Sequence, residues 1–239
     1  MRVNPPPPAN CHFWFLAGAV IFRAMKLFSI GLFLFVGSLA WAAASEKILF
    51  TENFSGGLAN GWQNIAYFKT PTDYAVGRDG TNFCVRGVAA KTCSALSRKL
   101  NLVPPEKMKL RWRWKIDGVN TNGSERDLKK FDHAARVFLA FDTFIGPPCT
   151  LNYLWGDVEK SGTVLAHPKS GRAQIFVLES GNEQAGAWVA EERDVTADWK
   201  RAFPDKPMPK LIGIGLMTDS DSLGQKLTGN YADLELSGE

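Results

Sequence analysis

Residues Met108-Lys-Leu-Arg-Trp-Arg-Trp-Lys-Ile-Asp117 alternate apolar and polar side chains without a fault. Met108, Leu110, Trp112, Trp114 and Ile116 fall on one side, and Lys109, Arg111, Arg113, Lys115 and Asp117 fall on the other. A period of two belongs to a β-strand, here one with a dry face and a cationic face. Same-face side chains on a strand stand roughly 7 Å apart, so four successive cations repel one another unless adjacent strands or a bound anion supply negative charge. The row is therefore either half of an internal charge lattice or a binding surface.

Outward from that strand the pattern recurs. Apart from Phe138, the stretch Ala134 to Asp142 places Ala135, Val137, Leu139 and Phe141 inward and Arg136 and Asp142 outward. In Tyr231 to Leu236, Ala232, Leu234 and Leu236 oppose Tyr231, Asp233 and Glu235. Further short strands are predicted at Ile48–Phe54, Thr72–Arg78, Asn82–Arg86, Cys93–Leu100, Leu151–Trp155, Arg172–Glu179, Ala187–Val195 and Leu211–Thr218. One helix is predicted, Thr196 to Phe203, with Thr196 as its N-cap and Pro204 as its stop. Many short strands without a repeated unit define an all-β fold. The expected architecture is a jelly-roll-like antiparallel β-sandwich, of the concanavalin or carbohydrate-binding-module kind, with one short helix. Its tryptophan strand lies between two sheets and its cations lie outside.

Ahead of this domain, Met25 to Ala44 reads as a secretory signal: one Lys26, an apolar run, then Ala40-Trp41-Ala42 or Ala42-Ala43-Ala44 as cleavage triplet. An uncleaved membrane anchor is the alternative, since Leu27 to Ala44 approaches the ~18 residues that span a bilayer. Met1 to Ala24, with four consecutive prolines, fits no part of a signal, which points to Met25 as the natural start. The expected division is thus 1–44 as extension plus signal and 45–239 as one domain in the periplasm or secreted. Of the 28 Lys and Arg, residues 1–44 carry three (Arg2, Arg23, Lys26) and no acids, so the remainder sets 25 cations against 24 anions and the formal net charge falls from +4 to +1. That balance gives no reason to expect nucleic acid as a partner.

In an oxidising compartment Cys84 and Cys93, flanking the turn-like Gly87-Val-Ala-Ala90, are candidates for a cross-strand disulfide; three buried thiols are the alternative. With His133 and His167 its only histidines and no G-x-S-x-G elbow, the domain excludes a serine hydrolase of the usual kind. Glu192 and Asp194 share a strand face and are the candidate acid pair for glycoside hydrolysis or a lyase, unless they neutralise the cationic row. Asp219 and Asp221, in Met217-Thr-Asp-Ser-Asp-Ser222, can turn toward one point, as a weak Ca²⁺ site or as acceptors for sugar hydroxyls. No other cofactor is expected. Tyr153, Trp155, Trp188 and Tyr231 can stack on sugar rings or pack in the core.

Six segments in order, Phe54-Ser-Gly…Gly61-Trp62, Trp112-Arg-Trp-Lys115, Ala135-Arg136-Val137, Leu151-Asn-Tyr-Leu-Trp155, Glu192-Arg-Asp-Val195 and Met217-Thr-Asp-Ser-Asp221, resemble the bacterial domain-of-unknown-function family 3047. The resemblance implies an exported bacterial domain and no established activity. Where the family shows two adjacent acids before the Ala-Arg-Val segment, Phe131-Asp132 stands here, and Asp132 joins the candidate ligand set. The expected function is a glycan- or anion-binding envelope module using Arg113, Lys115, Asp132, Arg136, Tyr153, Trp155, Glu192, Asp219 and Asp221. The alternatives are a glycanase or lyase on Glu192 and Asp194, and an envelope structural or interaction protein without a small ligand.

Overall fold

From Met108 to Ile116 every second side chain is buried and those between are partly exposed, as the alternation dictates. This is one of thirteen strands in the computed structural model, which describes residues 45–66, 70–143 and 145–239. The signal segment, its cleavage triplets and the Met25 start lie outside the described residues.

One sheet runs in the order β11 (Val189–Asp194), β6 (Met108–Ile116), β13 (Leu227–Gly238), β4 (Asn82–Ala89), β3 (Asp73–Asp79), with β1 (Lys47–Glu52) pairing the later half of β13. The other runs β2 (Trp62–Ala66), β5 (Cys93–Leu102), β12 (Leu211–Asp219), β7 (Arg136–Phe141), β8 (Cys149–Gly156), β10 (Ser170–Ser180), β9 (Val164–His167). The chain changes sheet at every connection except β3–β4 and the run β7 to β10, which makes a jelly-roll-like sandwich. Two features depart from the expectation. β8 and β10 are parallel, because β9 forms the antiparallel hairpin with β10 and so leaves β10 running in the direction of β8. The edge strands β2 and β9, five and four residues long, carry no clear alternation.

The tryptophans of β6 meet the aromatics of β8 across the sandwich. Trp112 lies 5.3 Å from Tyr153, Trp114 lies 5.7 Å from Trp155, and the two indoles pack edge-on at 5.3 Å. Trp199 of helix α1 (Val195–Ala202) packs against Phe141 at 4.7 Å and Phe203 at 4.5 Å. The N-cap is Asp194, not Thr196: its carboxylate accepts the Ala197 N–H at 2.9 Å, while Thr196 Oγ1 accepts the Met108 N–H at 3.0 Å.

Family segments also anchor the fold at its start. Glu52 is buried and accepts the Phe54 N–H, Trp62 Nε1–H and Arg98 Nη1–H at 2.8, 3.1 and 2.7 Å. The cross-strand disulfide is corrected. Gly87 to Ala89 belongs to β4, so β4 and β5 are not a hairpin but strands of opposite sheets, and Cys84, Cys93 and Cys149 are free thiols.

Candidate functional site

On the outer face of the first sheet the cationic row is neutralised from within. Lys109 pairs with Glu192 at 3.6 Å, and Arg111 pairs with Glu192, Glu235 and Glu46 at 2.7, 2.9 and 3.1 Å. Arg113 pairs with Asp233 at 2.5 Å, and Lys115 with Asp79. Asp233 reaches Arg113 from a register shift in β13, where its φ of 52° marks a bulge. Trp188 closes the row: its Nε1 donates to Asp79 at 2.7 Å, and Arg113 and Lys115 each lie 5.3 Å from the ring centre. A hollow of about 400 Å³ opens over Arg111, Arg113, Glu192 and Asp233, but its charges are spent on one another. Of the predicted ligand residues, Arg113, Lys115 and Glu192 therefore belong to the lattice.

The acid pair fares the same way. The Arg111 hydrogen bond holds the Glu192 carboxyl below its usual range, which suits an ion pair and not a proton donor. Asp194 is occupied as the helix cap. Glu191, one residue away on the opposite side of β11, behaves oppositely. Burial, then the charge of Glu179, pushes it up to about 7, and Trp114 Nε1 donates to it at 3.1 Å.

The outer face of the second sheet is built differently. Two adjoining hollows of about 420 and 400 Å³ share Arg136, His167, Lys169 and Met217. The first continues over Phe138, Asn152, Pro148 and Arg172, and the second over Phe131, Cys93, Asp219 and Asp221. The Phe138 ring takes the space left by Gly215, its neighbour on β12, where a Cβ would stand 2.2 Å from the ring. Arg136 is only 7% exposed, with Nη2 at 3.4 Å from both Asp219 Oδ1 and His133 Nδ1, and its Nε has no partner. Its guanidinium also stands 5.1 Å from the ring centre of Phe131. Burial pushes Asp219 up to about 7 against the pull of Arg136, and lowers His167 to about 4. Among the described residues no ion pair involves Lys169 or Arg172; Arg172 donates only to the Ile145 and Pro147 carbonyls, both at 3.2 Å.

Arg136, Asp219 and Asp221 thus meet in one groove, and the other predicted ligands do not join them. Tyr153 and Trp155 are corrected from stacking platforms to core, at 0% and 1% exposure, and Tyr231, at 0%, follows the core alternative. Tyr231 instead donates its hydroxyl to the Met217 carbonyl at 2.7 Å. Asp132 is buried and accepts the Ser222 and Leu223 N–H groups at 2.9 and 2.5 Å, fixing the turn after β12. Asp219 and Asp221 have Cys93 as the third donor within 4.8 Å. A thiol is a soft ligand that Ca²⁺ does not favour, so this set does not fit the calcium site. Phe138, Asn152, His167, Lys169 and Arg172 were not expected in the site. For Phe138 the signal was present: it is the one break in the alternation of its strand.

A two-sheet β-sandwich with a groove on one outer face is the class that these observations define. The chain belongs to the family described as protein of unknown function DUF3047, whose profile matches residues 60–235. No curated protein matches it in sequence. Among solved structures it is similar to the K3 cleaved adhesin domain of Lys-gingipain from Porphyromonas gingivalis W83, at 9% identity and TM-score 0.42, over 80% of this chain and 99% of that one. A family 30 carbohydrate-binding module of a Clostridium thermocellum cellulosomal cellulase is similar at 7% identity and TM-score 0.43, over 75% and 92%.

Proposed function

We propose that the domain is a binding module for glycans, with preference for those carrying carboxylate or other anionic groups, and that it acts in the periplasm or outside the cell. The observation that carries this reading is the groove on the second sheet, where cations without acidic partners border an aromatic and apolar floor. Its volume of about 420 Å³ lies within the ~300–1,000 Å³ of small-ligand sites. Phe138 offers a flat apolar face of the type that packs on a sugar ring. Lys169 and Arg172 offer N–H donors for an acid group, Arg172 in the planar form suited to carboxylates. Export rests on the signal-like segment at Met25–Ala44 and makes an envelope glycan the natural partner.

The test is a glycan array covering neutral and acidic oligosaccharides, followed by calorimetry on hits with wild type, Phe138→Ala and Lys169→Ala/Arg172→Ala. Binding to acidic glycans that both variants lose supports the reading. A folded wild-type domain that binds neither class, or hits unaffected by both variants, overturns it.

A further inference from the structure

Between β6 and β7 the chain runs from residue 117 to 135 with no strand and only a short 3₁₀ turn at Leu128–Lys130. Such a segment normally keeps its polar groups in water. Here three ionisable side chains are instead brought under it: Glu125 and His133 are 0% exposed, and Asp157, just past β8, is 8% exposed. Their donor atoms lie within 4.8 Å of one another.

Two of those residues carry atoms that nothing satisfies. His133 Nε2 and Asp157 Oδ2 are buried without a hydrogen-bond partner, and so is Asn120 Nδ2 beside them in the same loop. Buried polar atoms are almost always paired, so orphaned atoms on two members of one buried cluster call for a species that satisfies them. The rest of the cluster is held rigidly. Glu125 Oε1 accepts the Asp157 and Val158 N–H groups at 2.5 and 3.3 Å, and Oε2 accepts that of Glu159 at 3.2 Å, which leaves Oε2 a lone pair. Asp157 Oδ1 accepts the Asn120 N–H at 2.9 Å. Gly123 gives the free oxygen its room, since a Cβ there would lie 1.8 Å from Asp157 Oδ2. Backbone donors that fix carboxylates in this way are what the outer shell of a metal site provides.

We propose that Glu125, His133 and Asp157 bind a divalent transition-metal ion of the zinc class. Two carboxylates balance the dication, and an imidazole selects zinc or a similar metal over calcium or magnesium. Donors about 2.1 Å from a tetrahedral ion stand about 3.4 Å apart, so each donor would move by less than ~1 Å to close on it. Binding through Nε2 puts the imidazole proton on Nδ1, so the 3.4 Å contact with Arg136 Nη2 becomes donor to donor and has to lengthen as the guanidinium turns to Asp219. The ion would fasten the loop that carries Phe131, which packs edge-on against both His133 and His167 at 4.5 and 4.4 Å and forms a wall of the groove. The proposal does not depend on what the groove binds.

The experiment uses the full chain purified from cells grown with added zinc, with metal content measured by plasma mass spectrometry. Stripped protein is then titrated with Zn²⁺ and Co²⁺, following thermal unfolding and the visible Co²⁺ spectrum. The expected result is about one ion per chain, a raised Tm on reloading, and at least about tenfold weaker binding in Asp157→Asn and in His133→Gln. Cys93→Ser should bind as wild type. Two variants guard against one failing to fold, which circular dichroism reports. No retained metal and no response to either ion would mean that a buried water fills the gap, and would overturn the proposal. Metal held equally by the variants, or lost in Cys93→Ser, would place the ion elsewhere and overturn it as well.

Discussion

The two outer faces of this sandwich invert what charge density suggests. The first sheet carries the conspicuous row of four cations, and every one has an acidic partner, on the adjacent strands β11 and β13 or, for Lys115, at the end of β3. The second sheet carries fewer charges, but Lys169 and Arg172 reach its groove without acidic partners among the described residues. Capacity to bind follows from donors left over after folding, not from the number of charges in a strand. A regular cationic row on a strand is easily matched by acids on adjacent strands in register. An isolated cation on a hairpin has no such neighbours.

The sharpest way to break this comparison is to remove unspent charge on one side and spent charge on the other. Lys169→Ala/Arg172→Ala should cost an acidic ligand about 3 kcal/mol, or roughly a hundredfold in affinity, from two charge-assisted hydrogen bonds, with thermal stability nearly unchanged. Calorimetry that finds full affinity in the double variant would erase the distinction. Arg111→Ala should do the opposite. It frees three acids at once and should lower stability by about 1 kcal/mol in urea titration, less at high salt, with ligand affinity intact. Arg113→Ala has one acidic partner to lose and should shift stability by less than about 0.5 kcal/mol. Any loss of glycan binding in this variant would return that arginine to the candidate site.

A fourth prediction concerns Glu191. The unfolded chain releases the Glu proton near ~4.3, whereas the fold keeps it to about 7. Between those values the unfolded state binds fewer protons, so this group lowers stability as pH rises from ~4 to about 7 and adds no slope above it. Glu191→Gln, whose amide oxygen still accepts from Trp114, should therefore gain on wild type across that window in melts taken from pH 4.5 to 8. Parallel pH profiles would show that Glu191 titrates normally.

The sandwich was legible because β6 and β7 have one wet face each, so their burial is written in alternation. β8 was misread for a related reason. It is covered on both sides, by the core around Tyr153 and Trp155 and by a second cluster in which Phe131 packs with Leu154 and Ile175, so parity gave no sign that both aromatics faced in. Arg136, Asp219 and Asp221 were found because they sit at outward positions of regular strands or just beyond one. Lys169 and Arg172 were not, since a cation at a hairpin looks like any solvated surface charge. Glu125, His133 and Asp157 are spread over 33 positions of sequence and converge only through the packing of an irregular loop.

The two strands that sequence did not reveal have a further consequence. β2 and β9 are the outermost strands of the second sheet, and at five and four residues they are also among its shortest. A long flat edge exposes a ladder of unpaired amides on which another chain can add a strand and begin an aggregate; a short one offers a few hydrogen bonds at most. The same brevity that leaves these strands without a readable pattern protects the sheet that carries the groove from edge-to-edge association. Lengthening β9 with alternating valine and threonine should therefore turn a dispersed domain into one that self-associates.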